Sequence, residues 1–182
     1  MPRTHTTGNP PNYAFIDGQN LHLWTAKSEI DPWTIDLARF KVYLKDKYHI
    51  SRIYYFLWYI QAENLSLYTR LQEFGYIVVF KKQVDTMKST NKGNIDSDLI
   101  FRVMEKLIEE PDEFGKILLI SGDGDFKILV DYLIQKNRFL KILLPNKKYA
   151  SSLYREINIE YRDFIINAKE KIEYKKRGFR KH

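Results

Sequence analysis

The chain has 182 residues, of which 44% are apolar and 29% charged, and this composition favours one globular domain over a disordered chain. Thirty Lys and Arg against 23 Asp and Glu give a formal net charge of +7, which suits a polyanionic partner such as nucleic acid. The absence of cysteine excludes disulfides, thiolate chemistry and cysteine-based zinc sites, and the histidines at positions 5, 22, 49 and 182 show no ligand spacing.

The first residues, MPRTHTTGNPPN, lack the apolar core of a signal peptide. The apolar runs elsewhere, such as IYYFLWYI, are far shorter than a membrane-spanning helix. We therefore expect a polar lead-in over residues 1–12 and a cytoplasmic protein that has no membrane partner.

Strand and helix patterns alternate along the chain. Apolar, β-branched and aromatic runs predict strands at 13–17, 51–60, 76–82, 116–121 and 139–145. Helical apolar repeats predict helices at 35–47, 63–75, 96–110 and 126–137, and a last helix near 148–157. Asp31-Pro32 is typical of a helix start, and a polar loop is expected over 83–94.

This alternation predicts right-handed βαβ crossovers and a parallel sheet of about five strands, covered by helices on both faces. The fold class is thus α/β with three layers, α/β/α, over residues 13–168. Residues 169–182 contain seven Lys or Arg and two Glu, and we expect them to form a basic C-terminal tail.

Four acids follow the predicted strand ends. Asp17 ends the first strand, Asp96 opens the helix after the third, and Asp123 and Asp125 follow the fourth. In a parallel sheet the carboxyl ends of all strands lie at one edge, so these residues should lie close together. Each acid alone is explained as well by a turn or a helix cap.

Four neighbouring carboxylates repel one another, and a divalent cation between them relieves that repulsion. Ligands that are all oxygen favour Mg²⁺ or Mn²⁺ over zinc. Asp98 lies two residues after Asp96, about 200° further round a regular helix. It joins the site only if the first helical turn is irregular, and a solvated helix-start acid is the alternative.

Basic residues are expected around the acids, where they can bind phosphates of a nucleic acid. The candidates from strand ends and loops are Lys82, Lys88, Lys92, Lys147 and Lys148. The candidates from the tail are Lys175, Lys176 and Arg177. Each residue alone is explained as well by a solvated surface.

Three motifs, FIDGQN, KGNIDSDL and LISGDGDF, resemble in order and spacing the signature blocks of the NYN domain. This domain is a branch of the PIN-like nuclease superfamily that includes the LabA-like bacterial proteins. The resemblance covers about residues 13–145, and SSLYREINIEYRDFI resembles the closing elements of the family. It implies a PIN-like sheet of strand order 3-2-1-4-5 and a metal-dependent ribonuclease activity.

The resemblance also assigns site residues. Asp17, Asp96 and Asp123 match the metal-binding acids of the family, and Asp125 matches a further acid of the third block. Asn20 and Ser121 match polar positions that support the site.

One position departs from the pattern of many family members, because Arg102 stands where they have another acid of the same helix. Other members place that acid two residues after the first, which here is Asp98. We interpret the chain as this second type, with Asp98 among the metal ligands.

The predicted function is therefore hydrolysis of RNA phosphodiester bonds at a carboxylate-held Mg²⁺ or Mn²⁺, with catalysis by Asp17, Asp96, Asp123 and Asp125. The alternative is a non-catalytic RNA-binding or regulatory module on the same fold. A phosphatase of the haloacid-dehalogenase type is disfavoured, because Gln19 stands where that class needs an acid. Homo-oligomer formation stays open.

Overall fold

The computed structural model describes residues 9–29, 31–58, 60–81 and 95–175. Its strands are β1 (Asn12–Asp17), β2 (Ile50–Leu57), β3 (Ile77–Phe80), β4 (Ile117–Ile120), β5 (Phe139–Leu144) and β6 (Arg162–Phe164). Its α-helices are α1 (Gly18–Thr25), α2 (Leu37–Tyr48), α3 (Leu65–Glu73), α4 (Ile95–Glu109), α5 (Lys127–Gln135) and α6 (Lys169–Ile172). Short 3₁₀ helices span Ala62–Asn64, Gly124–Phe126, Ser152–Arg155, Ile159–Tyr161 and Ile165–Ala168.

The strands form one sheet in the order β3-β2-β1-β4-β5-β6, and every neighbouring pair is parallel. The predicted parallel sheet and its order 3-2-1-4-5 are confirmed, and β6 extends the sheet beyond β5. The strands β1 and β4 lie side by side in the middle. The acids that follow them are therefore neighbours at the carboxyl edge.

The sheet has a hydrophobic core on each face, which confirms the three-layer architecture. Phe15 of β1 packs on the side of α4 and α5, among residues such as Leu99 and Val130. The next residue, Ile16, packs on the side of α1 and α2, with Leu21 and Phe40. Both strand residues are fully buried, as is typical of a parallel strand that is covered on both faces.

Helix α1 was not expected from the sequence, in which Asp17 and Gly18 are typical turn residues. The helix begins directly after β1, with Asp17 as its N-cap. Gly18 makes this close entry possible. A Cβ atom at Gly18 would lie 2.2 Å from Cε1 of Tyr55 and 2.7 Å from the carbonyl oxygen of Phe56. Any larger residue would push α1 away from β2.

Two sequence predictions about helices are wrong. Helix α2 begins at Leu37 and not at Asp31-Pro32, because the side chain of Asp36 caps it by accepting from the Arg39 amide. In place of a helix over 148–157 there is only the 3₁₀ helix Ser152–Arg155. The hydroxyl of Ser151 accepts from the Leu153 amide there, a local bond that competes with a continuous α-helix.

The chain beyond residue 168 is still packed. Ile172 in α6 is fully buried against the core that includes α2, and its carbonyl oxygen accepts from the Asp36 amide. Glu173 forms an isolated antiparallel bridge with Ile35. Among the described residues, no helix combines the length and the apolar character that crossing a bilayer requires.

Candidate metal centre

Three carboxylates converge at the carboxyl edge of the sheet. Oxygen atoms of Asp96, Asp123 and Asp125 all lie within 4.8 Å of one another. Asp96 lies in the first turn of α4, and the other two belong to the turn after β4. The prediction that these three acids come together is therefore met by their placement, while their role as ligands stays a prediction.

The donor set suits Mg²⁺ or Mn²⁺. Around an octahedral Mg²⁺ with bonds of about 2.1 Å, adjacent oxygens stand about 3 Å apart and opposite ones about 4.2 Å. Oxygens within 4.8 Å of one another need only small adjustments to reach this geometry. Carboxylate oxygens are the donors that these hard cations prefer.

Asp17 lies beside this cluster but is not part of it. Together with Asp96 and Asp123 it lines an open recess of about 220 Å³, to which Leu23 and Trp58 contribute apolar surface. Asp17 is only 6% exposed. Its Oδ1 accepts from the Asn20 amide at 3.0 Å, and its Oδ2 accepts from the Ser121 hydroxyl at 3.1 Å.

The charge on Asp17 is energetically unfavourable in the metal-free protein. Burial raises the pKa of its carboxyl from 3.8 to about 6, the carboxylates of Asp96 and Asp123 add to this rise, and the two hydrogen bonds oppose it. A carboxylate that is held charged in such surroundings gains from a nearby cation.

Ser121 and Asn20 connect β1, α1 and the turn after β4. The buried hydroxyl of Ser121 donates to Asp17 and accepts from the Asp123 amide at 3.1 Å. The side-chain oxygen of Asn20 accepts from the Gly122 amide at 2.8 Å. These contacts fix the acids relative to one another, and the role of Asn20 and Ser121 in supporting a site stays a prediction.

The GDGD turn is held in a compact form. Oδ1 of Asp123 accepts from the Asp125 amide at 3.0 Å and thereby caps the 3₁₀ helix Gly124–Phe126. A Cβ atom at Gly124 would lie 2.6 Å from the Ser151 hydroxyl, so the turn leaves no room for a side chain. The turn thus brings the carboxylates of Asp123 and Asp125 to the same side as Asp96.

Tyr154 is a residue that sequence reasoning missed. Its hydroxyl donates to the backbone carbonyl of Asp123, and its ring is 1% exposed. Burial raises the pKa of this hydroxyl well above its ordinary value, and the negative charge of Asp123 adds to the rise. No signal in SSLYRE distinguished Tyr154 from an ordinary core aromatic residue.

Asp98 is not brought to the cluster. It is exposed in the first turn of α4, and the regular helix turns it away from Asp96, as the 200° separation indicates. Arg102, one turn further, forms an ion pair with Glu105. The structure thus supports the solvated position for Asp98 over a place among the ligands.

The predicted basic residues fall into two groups. Lys147, Lys148 and Lys175 are exposed. The ammonium of Lys147 lies 5.1 Å from the ring centroid of Phe164, and that of Lys148 lies 5.1 Å from the ring of Tyr149. The predictions for Lys82, Lys88, Lys92, Lys176 and Arg177 fall outside the described residues.

Fold and site together define an α/β protein with a cluster of carboxylates where the two central strands of a parallel sheet end. Comparison with known families matches residues 13–164 to the NYN domain. The chain therefore belongs to the NYN domain family.

A solved structure with a similar fold is that of a protein of unknown function from Vibrio parahaemolyticus. The two chains are 16% identical and superimpose with a TM-score of 0.67 over 88% of this chain and 94% of the other. At this identity the likeness concerns the fold alone. Comparison with curated proteins finds no match.

Proposed function

We propose that the protein is a metal-dependent ribonuclease that hydrolyses RNA phosphodiester bonds, with Mg²⁺ or Mn²⁺ held by its carboxylates. The observation that supports this most directly is the convergence of Asp96, Asp123 and Asp125 beside the buried Asp17 in an open recess. Membership of the NYN family, within the PIN-like nucleases, supports a nuclease. The three motifs favour the LabA-like branch.

The cation would be bound directly by Asp96, Asp123 and Asp125. The carboxylate of Asp17, which accepts a hydrogen bond from Ser121, would add negative charge beside them. A divalent cation bound there supplies the charge that makes water nucleophilic and stabilises the developing charge on the phosphodiester. Asp125 is the most exposed of these acids. It would orient the attacking water by accepting a hydrogen bond from it.

Water attacks the phosphorus in line with the bond to the 3′-oxygen. The new phosphorus–oxygen bond forms as the bond to the 3′-oxygen breaks, so the products carry a 5′-phosphate and a 3′-hydroxyl. A mechanism that used the ribose 2′-hydroxyl would instead give a 2′,3′-cyclic phosphate. The ends of the products therefore distinguish the two mechanisms.

The test is incubation of the purified protein with a mixed RNA pool in Mn²⁺ and in EDTA. Cleavage should require Mn²⁺, and Asp96→Asn and Asp123→Asn should each lower the rate at least about 100-fold. The matched control is Asp98→Asn, an exposed acid of the same helical turn that lies outside the cluster. It should cleave at the wild-type rate.

Cleavage that persists in EDTA, or in the Asp17→Asn, Asp123→Asn double variant, would contradict the proposal. Salt-sensitive RNA binding with no cleavage of any RNA would favour the alternative, a non-catalytic RNA-binding module. The RNA partner, the cytoplasmic location and homo-oligomer formation belong to this proposal and stay predictions.

A further inference from the structure

A stacked pair of aromatic rings lies next to the acidic site. The rings of Trp24, near the end of α1, and Tyr149, in the loop after β5, are 4.1 Å apart between centroids and inclined by 16°. Both side chains are only half-buried. We propose that this pair, with Lys148 beside it, is a platform on which an unpaired base of single-stranded RNA stacks.

Both rings are connected to the turn that holds Asp123. Trp24 follows Asn20 by four residues and so lies on the same face of α1, one turn further along. Asn20 accepts from the Gly122 amide. On the loop side, the Ser151 amide donates to the Gly122 carbonyl at 2.9 Å. The platform is thus joined to Gly122, the residue that precedes Asp123, by one turn of α1 on one side and by two residues of the loop on the other.

The chemistry of the pair suits a nucleic acid strand. The ammonium of Lys148 lies over the Tyr149 ring, 5.1 Å from its centroid, and the Trp24 ring is stacked on the same residue, so the pair combines aromatic surface with a positive charge. Within the described residues, neither Lys147 nor Lys148 forms a salt bridge with an acid, so their charges can interact with phosphates. Stacking needs bases that are not paired, which selects single-stranded over double-stranded RNA.

Aromatic residues follow strands that lie on both sides of the strands that carry the acids. Along the carboxyl edge, Trp58 follows β2, Asp17 ends β1, Asp123 follows β4 and Tyr149 follows β5. Trp58 lines the acidic recess. Aromatic residues thus stand in loops at the same edge as the acids, where a bound strand would pass.

The choice of RNA as the ligand rests on the proposed function, so the experiment separates the two. Binding of a fluorescent single-stranded RNA oligomer is measured by anisotropy in EDTA, which removes the cation that the proposed hydrolysis requires. Tyr149→Leu should weaken binding about 5- to 100-fold, and Tyr149→Phe, which keeps the ring, should bind as the wild type does. Trp24→Leu is a second variant with the same expected loss.

Two controls separate stacking from a general disturbance. Tyr132→Leu removes an exposed ring on α5 that also has a lysine nearby, with Lys136 at 5.6 Å, and should change affinity less than twofold. An oligomer of the same length and charge with abasic nucleotides should bind the wild type and Tyr149→Leu equally. Circular dichroism verifies that each variant is folded.

The platform is overturned if Tyr149→Leu binds the normal oligomer as the wild type does, if the loss is the same on the abasic oligomer, or if the wild type binds no single-stranded RNA. Cleavage in Mn²⁺ is scored separately on the wild type. Ring-dependent binding without cleavage supports the platform and contradicts hydrolysis. Cleavage together with binding that does not depend on the ring supports hydrolysis and contradicts the platform.

Discussion

Replacing Asp17 with asparagine should stabilise the metal-free protein at neutral pH, although it removes an acid that we propose acts in the site. Burial and the neighbouring carboxylates raise the pKa of Asp17 from 3.8 to about 6. Asparagine has nearly the same shape, remains a good N-cap for α1, and can still accept from the Asn20 amide. Its amide group can donate to the Ser121 hydroxyl, which now donates to Asp17.

The sign and size of the effect follow from linkage. Well below pH 3.8 Asp17 is protonated in both the folded and the unfolded chain, so its ionisation does not change the free energy of unfolding. Between pH 3.8 and about 6 the unfolded chain has released this proton while the folded protein still holds it, so the free energy of unfolding falls as the pH rises through this window. A shift from 3.8 to about 6 corresponds to a loss of about 3 kcal/mol, complete above about pH 7. The variant avoids this loss.

The assay is urea unfolding in EDTA at pH 4 and pH 7.5. At pH 7.5 the variant should be more stable than the wild type by about 1–3 kcal/mol, and at pH 4 the difference should nearly vanish. Asp98→Asn is the control, because this exposed acid should change stability by about 0.5 kcal/mol or less. A variant less stable than the wild type at pH 7.5 would show that the buried charge is not costly and would refute the reasoning.

Three further predictions concern other parts of the molecule. Tyr154→Phe leaves the Asp123 carbonyl without its donor, so unfolding in urea should show a loss of about 1 kcal/mol and calorimetry a weaker Mn²⁺ affinity. Gly18→Ala should lower the free energy of unfolding by about 2 kcal/mol or more in the same assay, because its Cβ would lie 2.2 Å from a side-chain carbon of Tyr55 in β2. Gly122→Ala is the control and should lower it less, because its nearest contact would be 3.4 Å away. Removing residues 176–182, which contain four Lys or Arg, should weaken RNA binding and its salt dependence without abolishing cleavage.

The sequence was sufficient for the parallel sheet and for the grouping of three acids. When helices alternate with buried strands of β-branched and aromatic residues, the architecture that fits is a parallel sheet covered by helices. In such a sheet the carboxyl ends of the strands lie together. The placement of Asp96, Asp123 and Asp125 follows from this rule alone.

Short helices and strands, and contacts between residues that are distant in sequence, could not be predicted in this way. Helix α1 has eight residues, and Asp17 and Gly18 at its start are typical turn residues, so its local pattern favours a turn. Strand β6 has three residues, too few to show a period of two. The contact of Tyr154 with Asp123 joins residues 31 positions apart, which no local pattern encodes.

The two outer strands of the sheet bear on how copies of this protein behave at high concentration. Within the described residues the edges are β3, with four residues, and β6, with three, of which Arg162 and Asp163 are charged. The β6 edge is short and charged and offers few free backbone groups for another sheet to pair with, which discourages edge-to-edge aggregation, whereas the β3 edge is short and apolar. Pairing of two copies of this domain through the β6 edge is therefore unfavourable.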